Sequence, residues 1–316
     1  MKEMDPPTRA IVDYIASVDY ASMPSPAVHA VTRNFVDTVA CMAAGCGGRA
    51  ARAGRAYARS ATGTPAASAV GVPEPVLLNG AVLVNGSAIL QGEFHEDEQA
   101  RPPRSQIAPA LFALAEAVGA SPAQFIEAVF LAYQLVVALS DDAPLPGTGF
   151  AQTLHISISV AAGAAKLLAL DGDQGANAIA IAIAPSLPIA VAEEQPDADW
   201  GPTASAQAAA TAVFAARLAS MGITGPPHVF DGTEALWETV TGPFEFTGIA
   251  QTQAFPQEYA KKPLSDGELS AKFDAAVADR LSPQLLDELR SRLWNLHREP
   301  DLGPVATLLR GFSNAS

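Results

Sequence analysis

The sequence predicts an all-α protein, and three of its properties lead to that prediction. Apolar residues recur at the spacing of a helix with one buried face along nearly all of the 316 residues. Apolar residues make up 49% of the chain and charged residues 16%, so a large core can form. Many of the apolar residues are alanines, which favour helices and let them approach one another closely.

Capping signals place the ends of several helices. Ser25-Pro26 is typical of a helix start, and the helix that it opens is expected to run to Gly45. Ser121 precedes Pro122 in the same way, and Gly119 and Gly222 are expected to end helices. The other helices are predicted at residues 11–18, 50–60, 75–90, 106–118, 122–139, 152–170, 175–184, 203–221, 233–240, 268–278, 283–296 and 305–309.

A few segments allow more than one interpretation. Residues 68–71 are predicted to be extended, and 244–249 alternate weakly, as a short strand would. The dipeptides Asn79-Gly80 and Asn85-Gly86 could each mark a turn, but they lie within one apolar run. We therefore favour a helix that packs tightly at its glycines. Asp171-Gly172-Asp173 is interpreted as a turn that ends a helix, since the further ligands of a calcium loop are absent.

Charge and composition exclude several function classes. The formal net charge of −14 argues against nucleic acid and against an anionic membrane surface as partners. The longest apolar run, 178–191, contains two prolines and is shorter than the roughly 20 residues of a membrane span. Cys41 and Cys46 are expected to be buried thiols, and no zinc-site spacing is present. We expect a cytoplasmic protein with neither metal nor cofactor.

The composition changes after about residue 245. Residues 1–245 are predicted to form one large helical domain, and 246–316 a small appended segment. Polar residues are concentrated at one point of the large domain, Glu93-Phe94-His95-Glu96-Asp97-Glu98, between two apolar helices. A solvated loop could carry this cluster, but its position between buried helices favours the floor of a pocket.

Six segments together carry a family resemblance. Val84-Asn85-Gly86-Ser87-Ala88 is similar to a V-N-G-T-A motif, and 109–116 is similar to P-A-L-L-A-L-A-E. The other four segments lie at 37–45, 161–171, 222–226 and 263–273. In this order and spacing they resemble the MmgE/PrpD family, which includes 2-methylcitrate dehydratase, cis-aconitate decarboxylase and iminodisuccinate epimerase.

The resemblance implies a large helical domain and a smaller α+β domain that closes over the active site, usually in a homodimer. Family members are longer than this chain, which passes almost directly from Phe255-Pro256 to Lys261-Lys262. The resemblance therefore implies that 246–316 is a truncated α+β remnant with a shortened lid.

The catalytic motifs of the family are altered here. The family's D-F-D-D-T corresponds to residues 93–97, which keep an acid at Glu93 and replace the threonine with Asp97. The family's histidine before Pro-Ser falls on Pro102, and the histidine of G-F-H-P-T is replaced by Ala151. The family's lysine falls near Gly201. This chain is not expected to use the family's set of proton-transfer groups unchanged.

His155 is the strongest candidate for a replacement acid or base. It follows Ala151 by one helical turn and so should project from the same helix face. An imidazole suits proton transfer near neutral pH, although a buried histidine bonded to a backbone carbonyl is the alternative. Glu93 and Asp97 share a face if the helix continues, and we select them as further catalytic candidates with His95 third. A solvated rim is the alternative for these three.

Arg101 and Arg104 are candidates for binding a carboxylate or phosphate, because a guanidinium can hold such groups through two hydrogen bonds. Ion pairing with the neighbouring acids is the alternative. Gln152, Thr153 and Trp200 are further substrate-binding candidates, and Trp200 could close the pocket on an apolar side.

Two functions follow from these residues and the resemblance. The first is a cofactor-independent lyase of the dehydratase type, or an isomerase or cyclase, acting by acid–base chemistry on a small molecule that carries a carbonyl or carboxylate. Such an enzyme could act in secondary metabolism. The second is a catalytically silent family member that serves as a binding module or complex subunit. A homodimer is expected in both cases from the resemblance.

Overall fold

The computed structural model describes residues 4–61, 63–89, 104–185, 189–190, 200–247, 249 and 264–313. Within these ranges the chain is helical, as predicted. The α-helices are α1 Pro6–Ser17, α2 Ser25–Gly45, α3 Arg49–Arg59, α4 Leu78–Ser87, α5 Ile107–Val118, α6 Pro122–Asp142, α7 Thr153–Leu167, α8 Gly172–Ile183, α9 Trp200–Ser220, α10 Asp266–Val277, α11 Pro283–Trp294 and α12 Gly303–Arg310.

Short elements complete the described fold. Two 3₁₀ turns span Tyr20–Ser22 and Leu296–Arg298, and a π-helical turn spans Trp237–Thr241. Strands β1 (Ala66–Ala67) and β2 (Val76–Leu77) pair antiparallel, with Ala66 opposite Leu77 and Ala67 opposite Val76. The extended segment predicted at 68–71 therefore lies two residues earlier.

Capping explains several helix starts. Ser121 accepts a hydrogen bond from the backbone N–H of Gln124, whose side chain accepts one from the N–H of Ser121. Ser265 and Glu268 form the same reciprocal pair at the start of α10. Gly119 adopts the left-handed conformation, with φ of 67°, and ends α5 as predicted.

Three local predictions are wrong. Ser25 is the first residue of α2 rather than its cap; Pro24 holds the cap position, where no side-chain bond is made. Asp171 caps the start of α8, because its carboxylate accepts the N–H of Gln174 at 2.8 Å. Residues 244–247 form no strand, because within the described structure they pair with no other strand, and the N–H of Thr247 bonds to the carboxylate of Asp142 at 3.1 Å.

Close approach at glycines sets the spacing of the central helices. A β-carbon on Gly86 would lie 2.6 Å from the β-carbon of Ala206 and 2.3 Å from Oε1 of Gln106, so α4 and α9 nearly touch there. A β-carbon on Gly80 would lie 3.1 Å from that of Ala58, and one on Gly163 would lie 2.7 Å from Leu111. The prediction of a helix that packs tightly at its glycines is confirmed.

α6 is long and apolar, and its neighbours bury most of it. By length and composition it could cross a membrane, but 72% of its most apolar stretch is buried inside the protein. It packs against α2, α5 and α7. The rings of Phe35, Phe112 and Phe125 join α2, α5 and α6, with centroids 5.0–5.7 Å apart. Core packing therefore accounts for its apolar sequence.

The described part of the C-terminal segment, residues 264–313, is helical and packs on α2. Lys272 forms an ion pair with the buried Asp37, with 2.6 Å between Nζ and Oδ1. Arg280 donates from Nε to the carbonyl of Ala43 at 3.1 Å. Leu269, Phe273 and other residues of this segment belong to the same hydrophobic core as the rest of the chain.

Gly86→Ala tests the close packing of α4. We expect the substitution to lower the free energy of unfolding by about 2 kcal/mol, because the new methyl group would overlap Ala206 of the facing helix. Chemical denaturation measures this change. The control is Gly267→Ala in α10, where a β-carbon meets only Ser265 Oγ at 4.0 Å; it should be neutral or stabilising. If both substitutions changed the free energy of unfolding equally, the close contact between Gly86 and Ala206 would be contradicted.

Candidate functional site

The structure describes part of the predicted site. Arg104, Gln152, Thr153, His155 and Trp200 are within the described ranges. The other predicted site residues, Glu93, His95, Asp97 and Arg101, lie outside the described residues.

His155 lies in the first turn of α7 and is 1% exposed. Its Nδ1 is 3.3 Å from the hydroxyl oxygen of Ser140 on α6. That hydroxyl donates to the carbonyl of Val136 at 2.8 Å, so it accepts rather than donates toward the ring. We infer that Nδ1 carries the imidazole proton and that Nε2 keeps its lone pair. Among the described residues, Nε2 has no hydrogen-bond partner.

Burial controls the charge of this imidazole. Desolvation lowers the pKa of His155 from 6.5 to about 4, and a hydrogen bond with the backbone of Ala143 opposes the shift only in part. The ring is therefore neutral at neutral pH. In that state it can accept a proton at Nε2, but it cannot act as a proton donor from an imidazolium form.

The loop between α6 and α7 determines where His155 enters the core. Gly147 and Gly149 both have positive φ values, 86° and 85°, which let the chain turn sharply before α7. Phe150 then forms an isolated antiparallel bridge with Ile189, and the N–H of Ala190 donates to the carbonyl of Gly149 at 2.9 Å. α7 begins three residues after this bridge, at Thr153.

Arg104 lies just before α5 and is 3% exposed. The central carbon of its guanidinium is 6.0 Å from the ring centroid of Tyr133 on α6, which places a buried cation near an aromatic ring. The hydroxyl of Tyr133 donates to Oδ1 of Asn34 at 2.7 Å, so the ring is fixed from the α2 side.

Arg104 and His155 contact the same face of α6. Their contacts on that helix, Tyr133 and Ser140, are two helical turns apart in sequence, which places them on one side about 10 Å apart along the axis. The structure thus brings a buried cation and a buried base to one helix face, although they are far apart in sequence.

The remaining predicted residues differ in burial. Thr153 is buried and Gln152 is half-buried at the start of α7. Trp200 is 53% exposed as the first residue of α9. Of these three, only Thr153 shares the enclosed environment of His155.

Sequence reasoning missed several buried polar residues near these helices. Ser140 was overlooked, although it is the side chain that orients His155. Ser157 and Ser159 on α7 are fully buried, and within the described structure their hydroxyls have no hydrogen-bond partner. Ser159 follows His155 by one helical turn. A hydroxyl at that spacing in an apolar helix indicates from the sequence that the two side chains share one helix face.

Gln106 forms a further polar contact at the start of α5. Its Nε2 donates to the carbonyl of Gly86 at 3.3 Å, whereas its buried Oε1 has no partner among the described residues. The nearby Ser87 hydroxyl is also buried and has no hydrogen-bond partner among the described residues. For the described residues, no group of three or more His, Cys, Asp or Glu side chains could hold a metal ion.

Comparison with known families agrees with this helical architecture. The sequence profile of the MmgE/PrpD N-terminal domain matches residues 9–248, which is most of the chain. The chain therefore belongs to the MmgE/PrpD family, a dehydratase-like family. A search of curated proteins gives no match.

The lowered pKa of His155 predicts a specific pH dependence of stability. The unfolded chain binds a proton at this histidine below about pH 6.5, whereas the folded chain does so only below about pH 4. Native stability should therefore fall as the pH drops through this window, by about 3 kcal/mol in total from this group. Denaturant unfolding of the wild type and His155→Gln at several pH values measures it. The free energy of unfolding of the variant should not show this fall between about pH 6.5 and pH 4. If the free energies of unfolding of the two proteins changed equally with pH, His155 would not be buried as a neutral ring.

Proposed function

We propose that this protein is a cofactor-independent acid–base enzyme that acts on a small carboxylate or carbonyl compound, as a lyase of the dehydratase type or as an isomerase. Membership of the MmgE/PrpD family supports the general class. The observation that carries the proposal for this chain is the Nε2 of the neutral, buried His155, which has no hydrogen-bond partner within the described ranges.

His155 is proposed as the base that removes a proton from carbon. Ser140 and the backbone near it hold the ring through Nδ1, which leaves Nε2 as the accepting atom. A pKa near 4 makes a free imidazole a weak base. An anionic substrate beside the ring would favour the protonated form and raise this pKa when it binds, so base strength would develop only in the complex.

Arg104 is proposed to hold the substrate carboxylate. Its charge would stabilise the negative charge that develops when a proton leaves the carbon next to a carboxylate. Arg104 and His155 act along one face of α6, so an extended substrate could contact both. Thr153 and Gln152, at the start of α7, are proposed as further substrate contacts.

An elimination also needs a proton donor for the leaving group. As the proton moves from carbon to Nε2, the C–H electron pair forms the new double bond and the leaving group departs with its own electrons. Glu93 or Asp97 is the proposed donor to that group, with His95 as a further candidate. In an isomerisation the proton would instead return to a different position of the same molecule.

A second function is favoured by the full burial of His155. A side chain that is 1% exposed, with a lowered pKa and a hydrogen bond to the backbone of Ala143, is also what a structural histidine looks like. In that case the chain would be a catalytically silent family member that binds a ligand or another subunit. The homodimer and the cytoplasmic location predicted from the sequence apply to both proposals.

His155→Gln separates the two functions. The protein is incubated in D₂O with a panel of 3-hydroxy carboxylates that includes 2-methylcitrate, and ¹H NMR follows both deuterium uptake next to the carboxylate and alkene formation. We expect the wild type to accelerate one of these reactions and His155→Gln to slow it at least about 100-fold, because a general base contributes that much or more.

The matched control is His228→Gln, which makes the same change at an exposed histidine that pairs with Asp231. It should leave the rate unchanged. Arg104→Lys keeps the positive charge but loses the two-point contact, and we expect it to raise KM more than it lowers kcat. If the wild type turns over a substrate and His155→Gln does so equally fast, the assigned base is wrong. A wild type that exchanges no proton on the panel would favour the silent member.

A further inference from the structure

A cleft that His155 does not line lies between α1 and residues 244–246 and 249. Its volume is about 510 Å³, within the range of about 300–1,000 Å³ that is usual for small-molecule sites. Among the predicted site residues that the structure describes, which are Arg104, Gln152, Thr153, His155 and Trp200, none lines it. It is therefore a separate candidate for ligand binding, independent of the proposed acid–base chemistry.

The walls of this cleft are aromatic and apolar. Tyr14 of α1 faces Phe244, Phe246 and Ile249 from the other side, together with prolines at the start of α1. The rings of Phe244 and Phe246 meet nearly at right angles, 85°, with centroids 5.3 Å apart. Burial raises the pKa of the Tyr14 phenol above its usual 10.0, so this ring stays uncharged.

The charged residues that line the cleft are all acidic. Asp13 and Glu245 lie one on each wall, and both are exposed. Within the described residues, neither carboxylate takes part in an ion pair or hydrogen bond, and no lysine, arginine or histidine lines the cleft. The rim is thus negative on both sides of an aromatic interior.

Both walls are fixed in place before any ligand binds. The carboxylate of Asp5 accepts the N–H of Thr8 at 2.8 Å and the N–H of Phe230 at 3.0 Å, which ties the start of α1 to the chain near the other wall. Thr247 donates to the carboxylate of Asp142 from its N–H at 3.1 Å and its hydroxyl at 2.7 Å. A ligand would therefore lose little free energy in organising the site.

We propose that this cleft binds an organic ammonium ion that carries an apolar or aromatic body. The ring faces of Tyr14, Phe244 and Phe246 attract a cation through their quadrupoles, and the two unpaired carboxylates complement its charge. A neutral ligand would gain the apolar contacts but not the charge interactions. An anion would be repelled by the rim and by the chain's net charge of −14.

Three probes of similar size test this proposal: benzyltrimethylammonium, benzyl alcohol and benzoate. Isothermal titration calorimetry at low ionic strength measures their affinities for the wild type. We expect the ammonium ion to bind about tenfold or more tightly than the alcohol, and benzoate not to bind. Asp13→Asn combined with Glu245→Gln should weaken the ammonium ion about tenfold and leave the alcohol unchanged.

The control is Glu74→Gln combined with Asp279→Asn, which removes the same two charges from exposed positions elsewhere. It should leave both affinities unchanged. Phe246→Ala should weaken both probes, because it removes part of the shared aromatic wall. Equal binding of the alcohol and the ammonium ion, an equal loss in both double variants, or no ammonium binding at about 10 mM would each overturn the proposal.

Discussion

The close approach of small residues between the central helices is the constraint on which the rest of this structure depends. Where Gly86 meets Ala206, and where Gly163 meets Leu111, there is no room for an added methyl group. Helices at this separation exclude water from the polar side chains between them. The hydroxyls of Ser157 and Ser159 and the imidazole of His155 are therefore buried in surroundings that are otherwise apolar.

The state of His155 follows from this exclusion of water. Desolvation makes the charged imidazole costly, which lowers its pKa to about 4, and the Ser140 hydroxyl then determines which nitrogen carries the proton. The same packing that stabilises the fold therefore keeps the ring neutral, and among the described residues its buried Nε2 has no hydrogen-bond partner. A structural role and a catalytic role at this position both require the ring to be buried and held in one orientation.

Much of the helical fold could be predicted from the sequence, because helix periodicity and caps such as those at Ser121 and Ser265 are local signals. Tight packing at Gly86 was also predicted, since the Asn-Gly pairs interrupt an apolar run without breaking its helical pattern. The strand expected at 244–249 was wrong because weak alternation does not reveal whether a pairing partner exists. Asp171 was assigned to the end of one helix although its carboxylate starts the next.

The candidate site was less predictable, because its contacts join residues that are distant in sequence. His155 could be selected through the resemblance to a known family, but Ser140 was missed since nothing local links a serine near the end of α6 to the start of α7. The position of Arg104 over Tyr133 also depends on how α5 and α6 pack. The cleft beside α1 could not be foreseen, because its two walls are more than 200 residues apart in the chain.

Nitrogen-15 NMR of histidine-labelled protein tests the central claim most directly. His155→Gln assigns the resonance, and the chemical shifts of the two ring nitrogens report both charge and tautomer. The structure predicts a neutral ring with the proton on Nδ1 at pH 7, which stays neutral until the pH falls to about 4. A charged ring at pH 6, or a proton on Nε2 at pH 7, would contradict a buried base whose Nε2 lone pair is open.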